Sequence, residues 1–198
     1  MTLDVRPQMM IYRLFYYMNF LEKDLEQIIY EADKELLAEK GLRVNGKLLR
    51  QVRIGNYGIA DLVSIERPYY HTHFEFHCKG TITIYELKKE NISVSAFIQA
   101  VGYAKGIMRW MEQHPKNLEI ISSSNYNINI ILIGKNIDKK SEFLYLADLL
   151  NVENLCDNNP LENFNLTLQM FTYKYDIDGI KFENHSDYSL INEGFIYE

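Results

Sequence analysis

The chain has 198 residues, 47% of them hydrophobic, with 15 Tyr and 10 Phe and a net charge of −6. That is enough apolar material for one compact domain with a sizeable core, and no run of ~18 apolar residues is present to cross a membrane. Cys78 and Cys156 lack metal-ligand spacing and imply a reduced, cytoplasmic setting rather than a disulfide scaffold.

The first apolar stretch, "QMMIYRLFYYMNF", is interrupted by Arg13 and has no small-residue cleavage site after it, so it does not read as a signal peptide. Its aromatics Tyr12, Phe15, Tyr16 and Tyr17 suit the core or a self-association surface, the latter compatible with a homodimer. "NFLEKDLEQIIYEADKELLAEKGL" predicts one helix, with Leu21, Leu25, Ile28, Ala32 and Leu36 at helical spacing and Gly41 as its stop. "LLRQVRI" predicts a strand ended by Gly55, Asn56 and Gly58, and "IADLVSI" a second one with Ile59, Asp61, Val63 and Ile65 on one face.

"HFEFHC" and "TITIYELK" predict strands on either side of a short turn at Lys79 and Gly80. His71, His73, Glu75 and His77 share a face of the first of these, and the wet side of an amphipathic strand accounts for them better than a zinc site. With a two-residue turn, His73 would lie opposite Glu86. Ser93 or Ser95 can cap a helix running to about Met111, whose apolar stripe is Phe97, Val101, Ala104 and Met108. "NINIILIG" predicts a strand, "SEFLYLADLL" a short helix and "NLTLQMFTYKY" a late strand. The order implies an α/β sandwich in one domain: a central mixed β-sheet flanked by helices, with a motif-bearing core at about 20–135 and a helix-and-strand extension at 136–198.

Charge is segregated along the chain. Residues 40–110 carry 11 basic and 5 acidic side chains, whereas 1–39 sum to −4 and 111–198 to −8. A basic middle in an acidic chain is the footprint expected where phosphates dock, although surface lysines can also fall together without function. Arg43, Arg50, Arg53, Lys105 and Arg109 are the candidates for phosphate contact.

The strand "TITIYELKK" places the chemistry. Ile82, Ile84, Glu86 and Lys88 share one face, so an apolar row ends in a carboxylate and an ammonium. Asp61 sits early in its own strand, and antiparallel pairing would bring it to Glu86. Two carboxylates and the Leu87 carbonyl make an oxygen cluster suited to Mg²⁺, with Mn²⁺ as a substitute. Lys88 would assist the attacking water. Gln99 and Tyr103, one helical turn apart, share a helix face, where Gln99 would orient the site or meet the nucleic-acid backbone. Tyr103, Arg50, Arg53, Lys105 and Arg109 are the expected nucleic-acid contacts. The structural alternative is a plain Glu86–Lys88 ion pair, which is an awkward way to gain stability on a half-buried strand.

"GIADLV", "IYELKK" and "AFIQAVGYAKGI" together resemble the PD-(D/E)XK nuclease superfamily, with Asp61, Glu86-Leu87-Lys88 and Gln99 on its motif positions. Within it, the pattern is similar to the C-terminal nuclease domain of the NucS or EndoMS type of mismatch endonuclease, where a helix opening with "EKDLE" also leads through "GL" to the Asp strand. The likeness covers roughly residues 20–135. It implies a restriction-endonuclease-like sandwich and a metal-dependent nuclease, with DNA as the expected substrate. It also implies a further acid on the first helix, for which Glu22 and Glu26 are the candidates. Glu22 has a capping-box job available opposite Asn19, so Glu26 is the expected one. Two differences stand out. The 198 residues do not include the separate N-terminal domain of those endonucleases, and "ERPYYHTHFEFHCKG" inserts either a longer hairpin or a substrate loop between Asp61 and Glu86. A nuclease-fold module that binds nucleic acid or a protein without cleaving is the alternative function.

Overall fold

The computed structural model describes residues 21–71, 76–114, 126–138, 166–176 and 178–185. Two helices open it, α1 (Glu22–Glu31) and α2 (Lys34–Glu39), where the periodicity predicts one. The break has a local cause. Ala32 is extended, and Asp33 caps α2 by accepting from the Glu35 N–H at 2.8 Å, a role that favours a new start over continuation. Asn19 lies outside the described residues. The predicted capping box gives way to the Leu21 N–H donating to the Asp24 carboxylate at 2.8 Å.

Strands β1 (Lys47–Arg53), β2 (Ile59–Glu66), β5 (Gly80–Leu87), β7 (Tyr126–Gly134), β9 (Leu166–Asp176) and β10 (Gly179–Asn184) form one mixed sheet in the order β1-β2-β5-β7-β9-β10. β5, β7 and β9 are parallel; the pairs at each edge are antiparallel. The long helix α3 (Val94–Gln113) connects β5 to β7, the kind of crossover that parallel neighbours require. Its predicted cap differs in detail: Ser93 stands at the N-cap, but its hydroxyl meets the Ser95 hydroxyl at 2.8 Å.

Strand alternation divides the core into two layers. Ile82, Ile84, Ile128, Ile130 and Leu132 pack against Phe97, Ala100, Tyr103, Ala104 and Met108 of α3. Tyr85, Leu87, Ile131 and Ile133 face Leu25 and Ile29 of α1 and Leu37 of α2. The central strands are therefore apolar on the α3 face and, on the face toward α1 and α2, along their later halves, where Tyr85, Leu87, Ile131, Ile133 and Phe171 lie. Among the described residues, no helix is long and apolar enough to cross a membrane.

The insertion after β2 is a hairpin of its own. Short strands β3 (Tyr69–His71) and β4 (Phe76–Cys78) pair with each other, Tyr70 opposite His77, while β5 pairs back to β2. The predicted hairpin turn at Lys79–Gly80 is thus overturned, because β5 pairs with β2 on one edge and β7 on the other and leaves β4 to pair with β3. His73 and Glu75 lie outside the described residues, as do the predicted helix in "SEFLYLADLL" and the N-terminal aromatic run. A two-stranded parallel pair, β6 (Asn91–Ile92) with β8 (Asn136–Ile137), ties the start of α3 to the end of β7.

Two glycines let α3 lie close to the β1–β2 connection, a single 3-10 turn at Gly55–Tyr57. Gly58 has φ +118° and sits against the Tyr103 ring, where an added Cβ would be 3.1 Å away. A Cβ at Gly106 would come within 2.6 Å of both Ile54 and Tyr57. Both positions therefore exclude larger residues.

Candidate functional site

The β2–β5 ladder ends at the pair Leu62–Tyr85, and Asp61 and Glu86 are the next residues on the two strands. Where a further backbone bond would form, the Asp61 carboxylate accepts from the Leu87 N–H at 2.9 Å. The strands part there, with two acids facing across the gap. Glu86 is 1% exposed. Its Oε1 accepts from the Lys88 ammonium at 2.6 Å, and its Oε2 is buried without a partner.

The electrostatics follow from that burial. Desolvation pushes the Glu86 carboxyl up to about 7, and the Asp61 and Glu22 charges add to it against the pull of Lys88. Asp61 is raised too, first by desolvation and then by the charges of Glu26 and Glu22, despite the Leu87 N–H and Lys88. For Lys88, burial acts downward, but the hydrogen bond and charge of Glu86 outweigh it and hold the ammonium above its ordinary value. Acids that repel one another around one ammonium form a site short of positive charge.

The first helix contributes both of its candidate acids. Glu26 is 5% exposed, bonded to the Arg50 guanidinium on one oxygen and to the Gln51 amide at 2.5 Å on the other. Gln51, which stands between the β1 residues paired with Leu62 and Ala60, has φ +50°, a costly conformation for a residue other than glycine. Glu22 accepts from the Lys89 N–H at 3.2 Å and acts electrostatically on Asp61, Glu86 and Lys88 alike. Capping-box spacing gives Glu22 a structural job instead, and the structure replaces that job with a place at the site. Its position four residues before Glu26, on the same helix face, is the signal in the sequence that both acids approach the strand ends.

Gln99 is exposed on the first turns of α3 and donates to the Tyr103 hydroxyl at 2.6 Å. That hydroxyl donates in turn to the Ile59 carbonyl at 2.8 Å, two residues before Asp61. Tyr103 itself is 1% exposed, so the expected contact with nucleic acid is replaced by a structural tie that positions Gln99 and the start of β2. The basic residues do not form one face. Arg50 is engaged by Glu26 and lies 5.9 Å from the Tyr30 ring centroid. Arg43 lines a polar groove with Ser64, Thr83, Asn129 and Gln169 on the sheet face opposite α3. Arg53 and Arg109 line a groove on the α3 side, and Lys105 is exposed one turn before Arg109.

A divalent cation fits the donor set present. The orphaned Glu86 Oε2 and the raised carboxyls are what a bound cation would relieve, and Asp61, Glu86 and the Leu87 carbonyl are all hard oxygen donors. Among the described residues no group of three His, Cys, Asp or Glu side chains forms a ready cage, so water would complete the shell, as suits Mg²⁺ better than zinc. No protein-family model, curated protein or solved structure matches this chain.

Proposed function

We propose that the protein is a Mg²⁺-dependent nuclease of the restriction-endonuclease-like kind, hydrolysing phosphodiester bonds, with DNA favoured by the resemblance of its motifs. The observation that carries this reading is the Asp61–Glu86 pair at the parting of β2 and β5, with a buried Glu86 oxygen that has no partner. Asp61, Glu86 and the Leu87 carbonyl would hold the cation. Once bound, it supplies a Lewis acid that stabilises charge on the phosphoryl oxygens and makes water a better nucleophile. Mn²⁺ has the same oxygen preference and would substitute.

The chain's own residues have separable tasks. Lys88 holds a proton firmly beside Glu86, and its ammonium supplies positive charge where the attacking water and the phosphate would meet. The exposed Gln99 amide, anchored on Tyr103, sets the side of the site along which the strand would lie. Glu22 and Glu26 add negative charge next to the donor set and strengthen its preference for a divalent ion.

Purified protein on single-stranded, duplex, branched and mismatched DNA, with Mg²⁺, Mn²⁺ or chelator, is the test. Cleavage should require the metal and be lost in Asp61→Ala and Glu86→Ala, both still folded by circular dichroism. Full cleavage by the Glu86→Ala protein, free of contaminating nuclease, would sink the assignment. Binding without cleavage by the wild-type protein would favour a non-catalytic module.

A further inference from the structure

The α3 side carries a second feature that the carboxylate site does not use. A groove of about 540 Å³ lies between α3 and the Gly55–Tyr57 turn. Its floor is apolar, built from Ile54, Ile82, Met111 and Tyr126, and its rim carries Arg53 and Arg109. Among the described residues no acid lines it. Arg109 donates to the Tyr57 hydroxyl at 3.0 Å, which fixes one guanidinium at the mouth.

Trp110, also on the lining, is 46% exposed, a large area for this side chain to leave in water. Its ring is stacked on His114, with centroids 5.2 Å apart and planes 21° from parallel. The His114 Nδ1–H donates to the Trp110 carbonyl at 2.9 Å, so the His114 ring is held against one face of Trp110.

The geometry points to this groove as a receptor for an unstacked nucleobase of a single-stranded or unpaired nucleic-acid segment, with Trp110 as the stacking surface and Arg53 and Arg109 on the flanking phosphates. The inference rests on the nuclease reading and names its substrate class. Charge complementarity selects the occupant: an apolar floor whose charged lining, among the described residues, is Arg53 and Arg109 suits a flat, weakly polar ring carried between anions. Bases inside an intact duplex are stacked and cannot enter. The direction also fits, since Gln99 and Trp110 lie on the same helix, 11 residues apart. At 1.5 Å per residue that is about 16 Å, a distance a strand covers in a few nucleotides. Gly106 makes the groove possible by letting Ile54 and Tyr57 reach α3.

Trp110 is the only tryptophan of the chain, so its emission reports on the groove directly. The full chain, with Ca²⁺ to prevent turnover, is titrated with oligothymidylate, its duplex with oligoadenylate, and an abasic oligonucleotide of equal length. Oligothymidylate should quench Trp110 strongly, while the duplex and the abasic strand bind with little change in emission. By anisotropy of a labelled probe, Trp110→Ala should weaken oligothymidylate roughly tenfold and leave the abasic strand unaffected, with Trp110→Phe restoring most of the loss. Equal quenching by the abasic strand, or bound oligothymidylate with no quenching, would overturn the proposal. None of these readouts needs cleavage. Quenching without cleavage of any substrate would reject the nuclease and keep the groove, and cleavage without quenching would do the reverse.

Discussion

Glu86 is where the tension of this molecule collects. Its carboxyl is pushed from 4.5 up to about 7, chiefly by desolvation, so the folded chain binds this proton more tightly than the unfolded one. The contribution to stability is fully present below about pH 4.5 and is lost as pH rises through about 7, an effect of about 3 kcal/mol. Glu86→Gln should therefore unfold at a midpoint much less dependent on pH between 5 and 8 than the wild type, measured by urea denaturation. A bound divalent cation favours the ionised form, so Mg²⁺ should raise the thermal midpoint of the wild type more at pH 8 than at pH 5, and that of Glu86→Gln at neither. An unchanged pH dependence in Glu86→Gln would mean that the buried carboxyl is not the titrating group. Two neighbours provide a second contrast. Lys88 shares the face of Glu86, while Lys89 uses its backbone, its N–H on Glu22 and its carbonyl on the Tyr173 hydroxyl. Single-turnover cleavage should fall at least tenfold more in Lys88→Ala than in Lys89→Ala, with binding little altered in either. Equal losses would remove Lys88 from its proposed role.

At the scale of elements, the site depends on α3 being tied to the start of β2. Tyr103 makes that tie with one hydroxyl, accepting from Gln99 and donating to the Ile59 carbonyl, with its ring packed against Gly58. Tyr103→Phe keeps the ring and removes the hydroxyl. The exposed Gln99 amide can turn to water, so the loss is that of an ordinary hydrogen bond, about 0.5–1.5 kcal/mol. The variant should show that loss in chemical denaturation. It should also lower kcat more than it raises KM, because Asp61 and Gln99 lose their common support while the surface that meets substrate is unchanged. A rise in KM alone would restore Tyr103 to the direct contact that its sequence position suggests. The other side of the sheet works differently: α1 delivers Glu22 and Glu26 to the strand ends, and Gln51 and Arg50 hold Glu26 from the edge strand.

For the whole molecule, a net charge of −6 means that any polyanion must be met locally. Part of the basic middle segment is already engaged. Lys40 donates to the Asp178 carbonyl at 3.0 Å, Lys34 of the first segment to the Gly46 carbonyl, and Arg50 to Glu26. Arg53, Lys105 and Arg109 remain together on the α3 side. Binding measured in Ca²⁺ should therefore fall with salt at a log–log slope of roughly −2 on single strands and −3 on duplex, the value for about three phosphates. Arg109→Ala should reduce the slope by about one unit, whereas Arg43→Ala, on the opposite face, should leave it unchanged. A slope near zero would argue for a protein partner in place of nucleic acid.

Local periodicity alone makes part of this molecule legible. Alternation along "TITIYELKK" puts Glu86 and Lys88 on one face whatever the rest of the chain does, and the 3.6-residue period puts Gln99 beside Tyr103. The mixed sheet with flanking helices follows in the same way from the order of patterned segments. Tertiary structure decides between partners that compete over distance. β4 pairs with β3 because β5 finds two buried neighbours in β2 and β7, and β10, a short strand opening at Gly179 with an Ile-Lys-Phe-Glu alternation, finds its partner in β9. Arg50 meets an acid 24 residues away, and Tyr103 is interior because Gly58 and Gly106 let the β1–β2 turn close over α3. A side chain's face is a property of its own backbone; its partner and its burial are decided by which distant surfaces exclude water together.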